Sequence, residues 1–366
     1  MKIGIPKEIK NNEFRVAITP IGVRELVKRG HQVCIQNSAG VGSSVSDTEY
    51  QEAGAELVGS AKDVWLKNDL ILKVKEPISQ EYELLRSDQL LFTFLHLAAS
   101  RACTDALLRA KVTAIAYETV TDKNGGLPLL APMSEVAGRL ATQVGAETLM
   151  APRGGRGVLL GGVTGVEAAK VVVLGGGVAG YNAAKIALGM QAQVTIFDKN
   201  IDRMRELDNI FDGKVQIRFA NDLDISKAVL KADLVIGAVL VPGAKAPRLV
   251  SNQMVSKMKT GSVLVDISID QGGCFEDSKP TTHAEPTYIV HNSIFYCVAN
   301  MPGAVPNTST YALTNATLPH VLKIADMGWL AALKADSHLA AGLNTHDGNL
   351  YSQSVAEAFN LDSVSF

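Results

Sequence analysis

Apolar residues gather along this chain in short unbroken runs separated by amphipathic stretches, a pattern of buried strands alternating with helices. In the first third the runs fall at residues 2–5, 32–35, 70–74, 90–95 and 112–116. Helical spacing fills 19–29, opened by a Thr-Pro start signal, and 102–110. The middle repeats the alternation, with strands predicted at 170–174, 193–197, 215–219, 234–237, 262–266 and 288–290. After Pro302 the pattern turns helical, over 310–323 and 328–333. Strand and helix in turn predict an α/β fold of two doubly wound, mostly parallel sheets with both faces covered. At 366 residues the chain exceeds the size at which one core stops growing, so two domains are expected. With hinges near 128–135 and 300–306, these are residues 1–130 plus 305–366, a substrate domain, and 131–304, a dinucleotide-binding domain. The crevice between two such domains is the expected ligand site.

The central domain carries Val-Val-Val-Leu-Gly-Gly-Gly-Val-Ala-Gly at 171–180, and its next apolar run ends in Asp198. This is the sequence form of a Rossmann dinucleotide site: strand, glycine turn, helix, strand, acid. Gly175 permits the tight turn, Gly177 lets the backbone approach a pyrophosphate, and Gly180 lets the helix pack close to the sheet. A helix starting near Val178 and Ala179 aims unpaired N–H groups and its positive end at the phosphates. Asp198 is suited to accept hydrogen bonds from ribose hydroxyls and to repel a 2′-phosphate, which favours NAD over NADP, while Lys199 and Arg203 nearby pull the other way. With 32 glycines in the chain, an ordinary strand-to-helix turn is the alternative. The apolar strand before the glycines, the helical stretch at 183–190 and the acid downstream outweigh it.

Composition narrows the class further. A hydrophobic fraction of 47% and a charged fraction of 20% describe a compact globular protein, and a net charge of −2 without a basic run argues against nucleic-acid or anionic-membrane partners. Cys34, Cys103, Cys274 and Cys297 are scattered, without a CxxC pair, and read as reduced side chains of a cytoplasmic protein. The charged start lacks the apolar core of a signal peptide, and no run reaches transmembrane length. His283 and His291 lack partners at ligand spacing, so no metal is expected.

In open parallel sheets, ligands bind outside the carboxyl ends of strands. Lys75 closes Leu-Ile-Leu-Lys-Val-Lys and His96 closes Leu-Leu-Phe-Thr-Phe-Leu-His. The lysine suits a carboxylate or a polarised carbonyl, and the imidazole exchanges protons near neutral pH. Each has a plain structural alternative, a solvated strand end for Lys75 and a hydrogen-bonded structural residue for His96. Asp270 follows the strand ending at Asp266 and is either a carboxylate facing the reaction or a turn former before Gly-Gly. Arg15 is either a fork for a substrate carboxylate or half of a surface ion pair.

Several segments resemble the bacterial alanine dehydrogenase family, which it shares with the NAD-binding subunit of transhydrogenase. They are Ile-Gly-Ile-Pro-Lys-Glu with Glu-Phe-Arg-Val-Ala, Leu-Lys-Val-Lys-Glu-Pro, Phe-Thr-Phe-Leu-His-Leu-Ala, Ala-Pro-Met-Ser-Glu-Val-Ala-Gly-Arg, Val-Asp-Ile-Ser-Ile-Asp-Gln-Gly-Gly-Cys and Val-Ala-Asn-Met-Pro-Gly-Ala-Val-Pro. The resemblance runs in order over nearly the whole chain. It implies reversible NAD-dependent deamination of L-alanine to pyruvate and ammonium, usually in a homohexamer. On matching positions it implies that Arg15 and Lys75 bind substrate, His96 is the general acid/base and Asp270 assists the water and ammonia steps. It also implies NAD contacts at Ser134, Val178, Asp198, Arg203, Val239, Leu240, Ile267, Asp270, Val298, Asn300 and Met301. Four positions depart from the family pattern: Phe94 for tyrosine, Thr164 for proline, Asn307 for arginine, and Ala220, which offers no hydroxyl. The transhydrogenase component lacks the counterparts of His96 and Asp270, so this pair favours an enzyme over a binding module. A dehydrogenase of another small amino acid is the remaining alternative.

Overall fold

The computed structural model describes residues 1–239 and 246–366, in two compact units, Met1–Met133 with Val305–Phe366 and Ser134–Ala304. The first unit begins with six strands: β1 (Lys2–Ile5), β2 (Gln32–Gln36), β3 (Glu56–Val58), β4 (Leu70–Leu72), β5 (Leu90–Thr93) and β6 (Thr113–Ala116). The second holds β7 (Lys170–Leu174), β8 (Gln193–Asp198), β9 (Gln216–Phe219), β10 (Leu234–Gly237), β11 (Val263–Asp266), β12 (Thr287–Val290) and β13 (Ser293–Tyr296). The chain then returns to the first sheet with β14 (Leu343–His346) and β15 (Asn349–Leu350).

The first sheet runs in the order β15-β14-β6-β5-β4-β1-β2-β3 and the second in the order β12-β13-β11-β10-β7-β8-β9. Both are doubly wound, as the alternating pattern predicts. The central strands of each are parallel and buried, so their sequences are unbroken apolar runs rather than alternating ones. Each sheet also ends in an antiparallel hairpin that the pattern did not predict. In the second, β12 turns back into β13 through His291, at φ 50°, and Asn292, with no glycine to mark the turn. In the first, β14 turns into β15 at Asp347 and Gly348, both at positive φ, and β14 pairs antiparallel with β6.

Helices cover the sheets with narrow apolar faces. Pro20–Lys28 opens with proline in its first turn and buries Gly22, Val23 and Leu26. Val178–Gly189 buries Gly180, Asn182, Ala183, Ala184 and Ala187, small residues that allow it to lie close to the sheet. The long helix Pro306–Met327 starts earlier than the predicted 310, and its Asn307 donates a hydrogen bond of 2.8 Å to the carbonyl of Ser43. No helix among the described residues is long and apolar enough to cross a membrane.

Candidate active site

Arg15, Lys75 and His96 belong to the first unit, and the structure brings them together. Lys75 lies just past β4 and is 8% exposed; Arg15 lies in the loop after β1 and is 2% exposed. The Arg15 guanidinium is not a surface ion pair. Its Nε and Nη2 donate to Glu13 at 2.7 and 2.5 Å, and its Nη1 reaches the Met133 sulfur at 3.0 Å. Burial works to raise the Glu13 carboxyl, but the hydrogen bonds and charge of Arg15 prevail and hold its pKa at about 2. Lys10 pairs with Glu76 alongside.

His96 follows β5 in the left-handed region, φ 46° and ψ 39°, an uncommon conformation for a residue with a Cβ. Glu118 holds it there. Its Oε1 accepts the His96 N–H at 2.6 Å and the Leu95 N–H at 3.1 Å, while the imidazole Nδ1 stands 4.0 Å away. Burial raises the Glu118 pKa against the pull of those amides and of Lys75. The Phe94 ring lies parallel to the imidazole, centroids 5.7 Å apart, and meets Tyr117 edge-on at 5.1 Å. Phe94 thus sets an apolar plate against the histidine. The surrounding protein, then the charges of Lys75, Lys10 and Arg15, push the His96 pKa down to about 3, although 38% of the side chain stays exposed. The ring is a neutral base at physiological pH.

The second unit builds a glycine turn. Gly175 adopts φ 97°, and a Cβ there would stand 2.8 Å from the carbonyl oxygen of Ala238. A Cβ on Gly180 would stand 1.8 Å from the oxygen of Gly175, so only hydrogen allows this approach. A Cβ on Gly177 would meet no described atom within 4 Å, which leaves the backbone open to a ligand. Those three geometries fit the three parts that a pyrophosphate cradle requires. Val178 is exposed and Ala179 half-buried at the helix start. Asp198 ends β8; its Oδ2 accepts the Gly176 N–H at 2.7 Å and its Oδ1 the Asn200 N–H at 2.8 Å. Arg203 donates from Nε to the Gly176 carbonyl at 2.7 Å and pairs with Glu206 at 2.5 Å, so it braces the turn and its charge is already partnered.

Most of the remaining cofactor candidates follow the ends of β10, β11 and β13. Asp266, fully buried at the end of β11, accepts the N–H groups of Ser268 at 3.0 Å and Cys274 at 2.8 Å and the Ser278 hydroxyl at 2.5 Å. It thereby folds the 3-10 turn Ile267–Gln271, from which Asp270 projects exposed. Ser268 ties that turn to the Val239 carbonyl at 2.7 Å. Asn300 sits at φ 65° with its carbonyl 3.3 Å from the His283 ring; Val298 and Met301 are buried, and Ser134 is half-buried in Ala131–Thr148. Ala220 is buried beyond β9, and Thr164 lies in an exposed turn. Leu240 lies outside the described residues.

Sequence reasoning passed over Glu13, Met133, Glu118, Gly138 and Asp266. Glu13 had a usable signal, an acid two residues before a buried arginine. Glu118 had none, because it meets His96 across 22 positions. Gly138 is a contact between helices: a Cβ there would stand 2.1 Å from the Ala179 carbonyl oxygen at the head of the dinucleotide helix.

Two doubly wound sheets, one with a glycine turn closed by an acid and the other with buried cations beside an imidazole, define a Rossmann-type α/β protein. Residues 4–137 match the model of the alanine dehydrogenase/PNT N-terminal domain, and residues 141–353 match that of the C-terminal domain. The chain belongs to the alanine dehydrogenase/PNT family. It is similar to an alanine dehydrogenase of Mycolicibacterium smegmatis, 64% identical over 99% of this chain and 97% of that one. A solved L-alanine dehydrogenase shares its fold at a TM-score of 0.95 and 54% identity, covering 98% of this chain and 99% of the other. A transhydrogenase from Sinorhizobium meliloti is more distant, with a TM-score of 0.82 and 26% identity over 97% of this chain and 100% of that one.

Two outcomes are expected from this geometry. Gly138→Ala forces apart two helices in contact and should cost about 1–3 kcal/mol of stability. Urea unfolding measures it, and an unchanged midpoint means the contact is loose. For His96, the folded pKa of about 3 lies below the ordinary 6.5, so between those values the unfolded chain holds a proton that the native one lacks. Stability from this group is complete above 6.5 and falls as pH drops towards 3. His96→Asn should therefore lose less stability than the parent between neutral and mildly acidic pH; equal losses in both proteins would mean the ring titrates normally.

Proposed function

We propose that this chain is an NAD-dependent L-alanine dehydrogenase that interconverts L-alanine with pyruvate and ammonium, working in the cytoplasm as a homohexamer. The observation that carries the reading is a neutral imidazole, His96, set among the cations Lys75, Arg15 and Lys10. A small carboxylate is the ligand this charge pattern selects, and a neutral base beside it is what amine chemistry needs. The names of the relatives at 54–64% identity supply the substrate.

In this reading Arg15, aligned by Glu13, and Lys75 hold the substrate carboxylate and the carbonyl side. Bound at the glycine turn, NAD supplies the acceptor for the hydride that leaves Cα. Gly175, Gly177, Gly180, Val178 and Ala179 hold its pyrophosphate, Asp198 its adenosine ribose, and Ser134, Arg203, Val239, Leu240, Ile267, Val298, Asn300 and Met301 its remaining contacts. Water then adds to the imine carbon while His96 takes a proton from it. His96 then gives that proton to the carbinolamine nitrogen, and as the C–N bond breaks and the C=O bond forms the hydroxyl proton passes back to His96, while Asp270 orients the water and stabilises the developing ammonium. The substrate carboxylate offsets the cations that depress the imidazole pKa, so binding moves His96 closer to the range in which it exchanges protons readily.

Purified protein should reduce NAD with L-alanine and oxidise NADH with pyruvate plus ammonium, followed by absorbance of the reduced cofactor. NADH binding without either activity would instead support a binding module like the transhydrogenase component. His96→Ala should lower kcat by about a hundredfold or more with NADH affinity retained. Loss of cofactor binding in that variant would make the histidine structural. Asp198→Ala should narrow the preference for NAD over NADP, and an unchanged ratio of kcat/KM values would remove Asp198 from cofactor selection.

A further inference from the structure

Lys75 is gripped through its main chain from both sides. The ladder between β4 and β5 is regular from Leu70 to Leu72 and then loosens, with Lys73 N–H to Phe92 and Phe94 N–H to Val74 both at 3.3 Å. On the other flank β1 ends at Ile5, with its paired residues Ile3 and Gly4 set against Leu70 and Ile71, short of the N–H groups of Val74 and Lys75. The buried carboxylate of Glu8 reaches them instead. Its Oε1 accepts from Val74 at 2.6 Å and from Lys75 at 3.3 Å. From the β5 side the hydroxyl of Thr93, fully buried, donates to the Lys75 carbonyl at 3.1 Å.

Glu8 is itself held by a dry ion triad. Its Oε2 accepts from Lys73 at 2.9 Å, and Lys73 also donates to Glu81 at 2.9 Å. One lysine with Glu81 alone would already be charge-balanced. A second buried carboxylate on the same ammonium adds desolvation cost, seen in the Glu8 pKa, which burial raises. Charge balance therefore does not account for Glu8, whereas the grip on Val74 and Lys75 does.

We propose that Glu8 and Thr93 are positioning residues for Lys75, fixing the main chain from which its ammonium reaches the substrate. The proposal rests on the reading of Lys75 as a substrate-binding lysine. Glu8→Ala leaves Lys73 with Glu81, so it removes the grip without stranding a charge. Glu8→Gln has the same loss of charge but keeps an oxygen for the two amides. Thr93→Val is nearly isosteric and removes only the hydroxyl.

The test is steady-state reductive amination with pyruvate, ammonium and NADH, beside fluorescence titration of NADH binding. Glu8→Ala should raise KM for pyruvate about tenfold with kcat changed by less than about threefold, and Thr93→Val should raise it about threefold. Glu8→Gln should recover most of the affinity that Glu8→Ala loses. NADH affinity should stay at the parent value in all three. Wild-type KM in both Glu8→Ala and Thr93→Val, with KM raised in Lys75→Ala, overturns the proposal and leaves the role of Lys75 standing. Glu8→Gln as damaging as Glu8→Ala overturns it in favour of a charge effect. Parallel loss of NADH binding overturns it in favour of general damage to the fold. Should Lys75→Ala itself keep the parent KM, the reading of Lys75 fails and the proposal fails with it. If Glu8→Ala does not fold, Thr93→Val decides alone.

Discussion

Where a parallel strand ends, its next amides lose their ladder partners, and in this chain buried or half-buried carboxylates take them up. Glu8 does so after β4, Glu118 after β5, Asp198 between β7 and β8, and Asp266 after β11. A carboxyl group accepts several such bonds at once through its two oxygens. The strand ends are also where open α/β sheets bind ligands. The same side chains that complete the backbone hydrogen bonding therefore set the loops carrying Lys75, His96, the glycine turn and Asp270. Removing one of them leaves unpaired amides and an unfixed loop together.

The arrangement also sets the electrostatics of the first unit. Lys75, Lys10 and Arg15 set their positive charge towards His96, with Arg15 also paired to Glu13 and Lys10 to Glu76. Crowding by protein and the field of these cations act on the imidazole in one direction, against protonation. The Phe94 ring lies parallel to the imidazole beside them.

Much of this was legible in the sequence, because the signals were local. The three buried valines and the leucine of β7, the glycine turn and Asp198 lie within one strand-helix-strand unit, and each residue's type follows from its own position. Arg15, Lys75 and His96 were readable as strand-end or loop residues of unusual chemistry. The second layer was not. Glu118 finds His96, Gly138 finds Ala179 and Thr93 finds Lys75 only through the tertiary fold, and a single sequence has no periodicity that links them. Neither edge hairpin was read from the sequence, though their turns differ. The β14–β15 turn carries an Asp-Gly pair that marks a tight hairpin, whereas the β12–β13 turn is His-Asn and gives no such sign.

The left-handed backbone at His96 has one more consequence. Such a conformation costs a residue with a side chain about 1–2 kcal/mol that glycine would not lose. Glu118 holds the His96 N–H and the Phe94 ring lies against the imidazole, with Glu118 also taking the Leu95 N–H and Phe94 backed by Tyr117. Selection for stability alone would drift this position towards glycine or asparagine. A histidine held in a conformation that suits other residues better marks the point where the protein gives up fold stability to keep an imidazole in place.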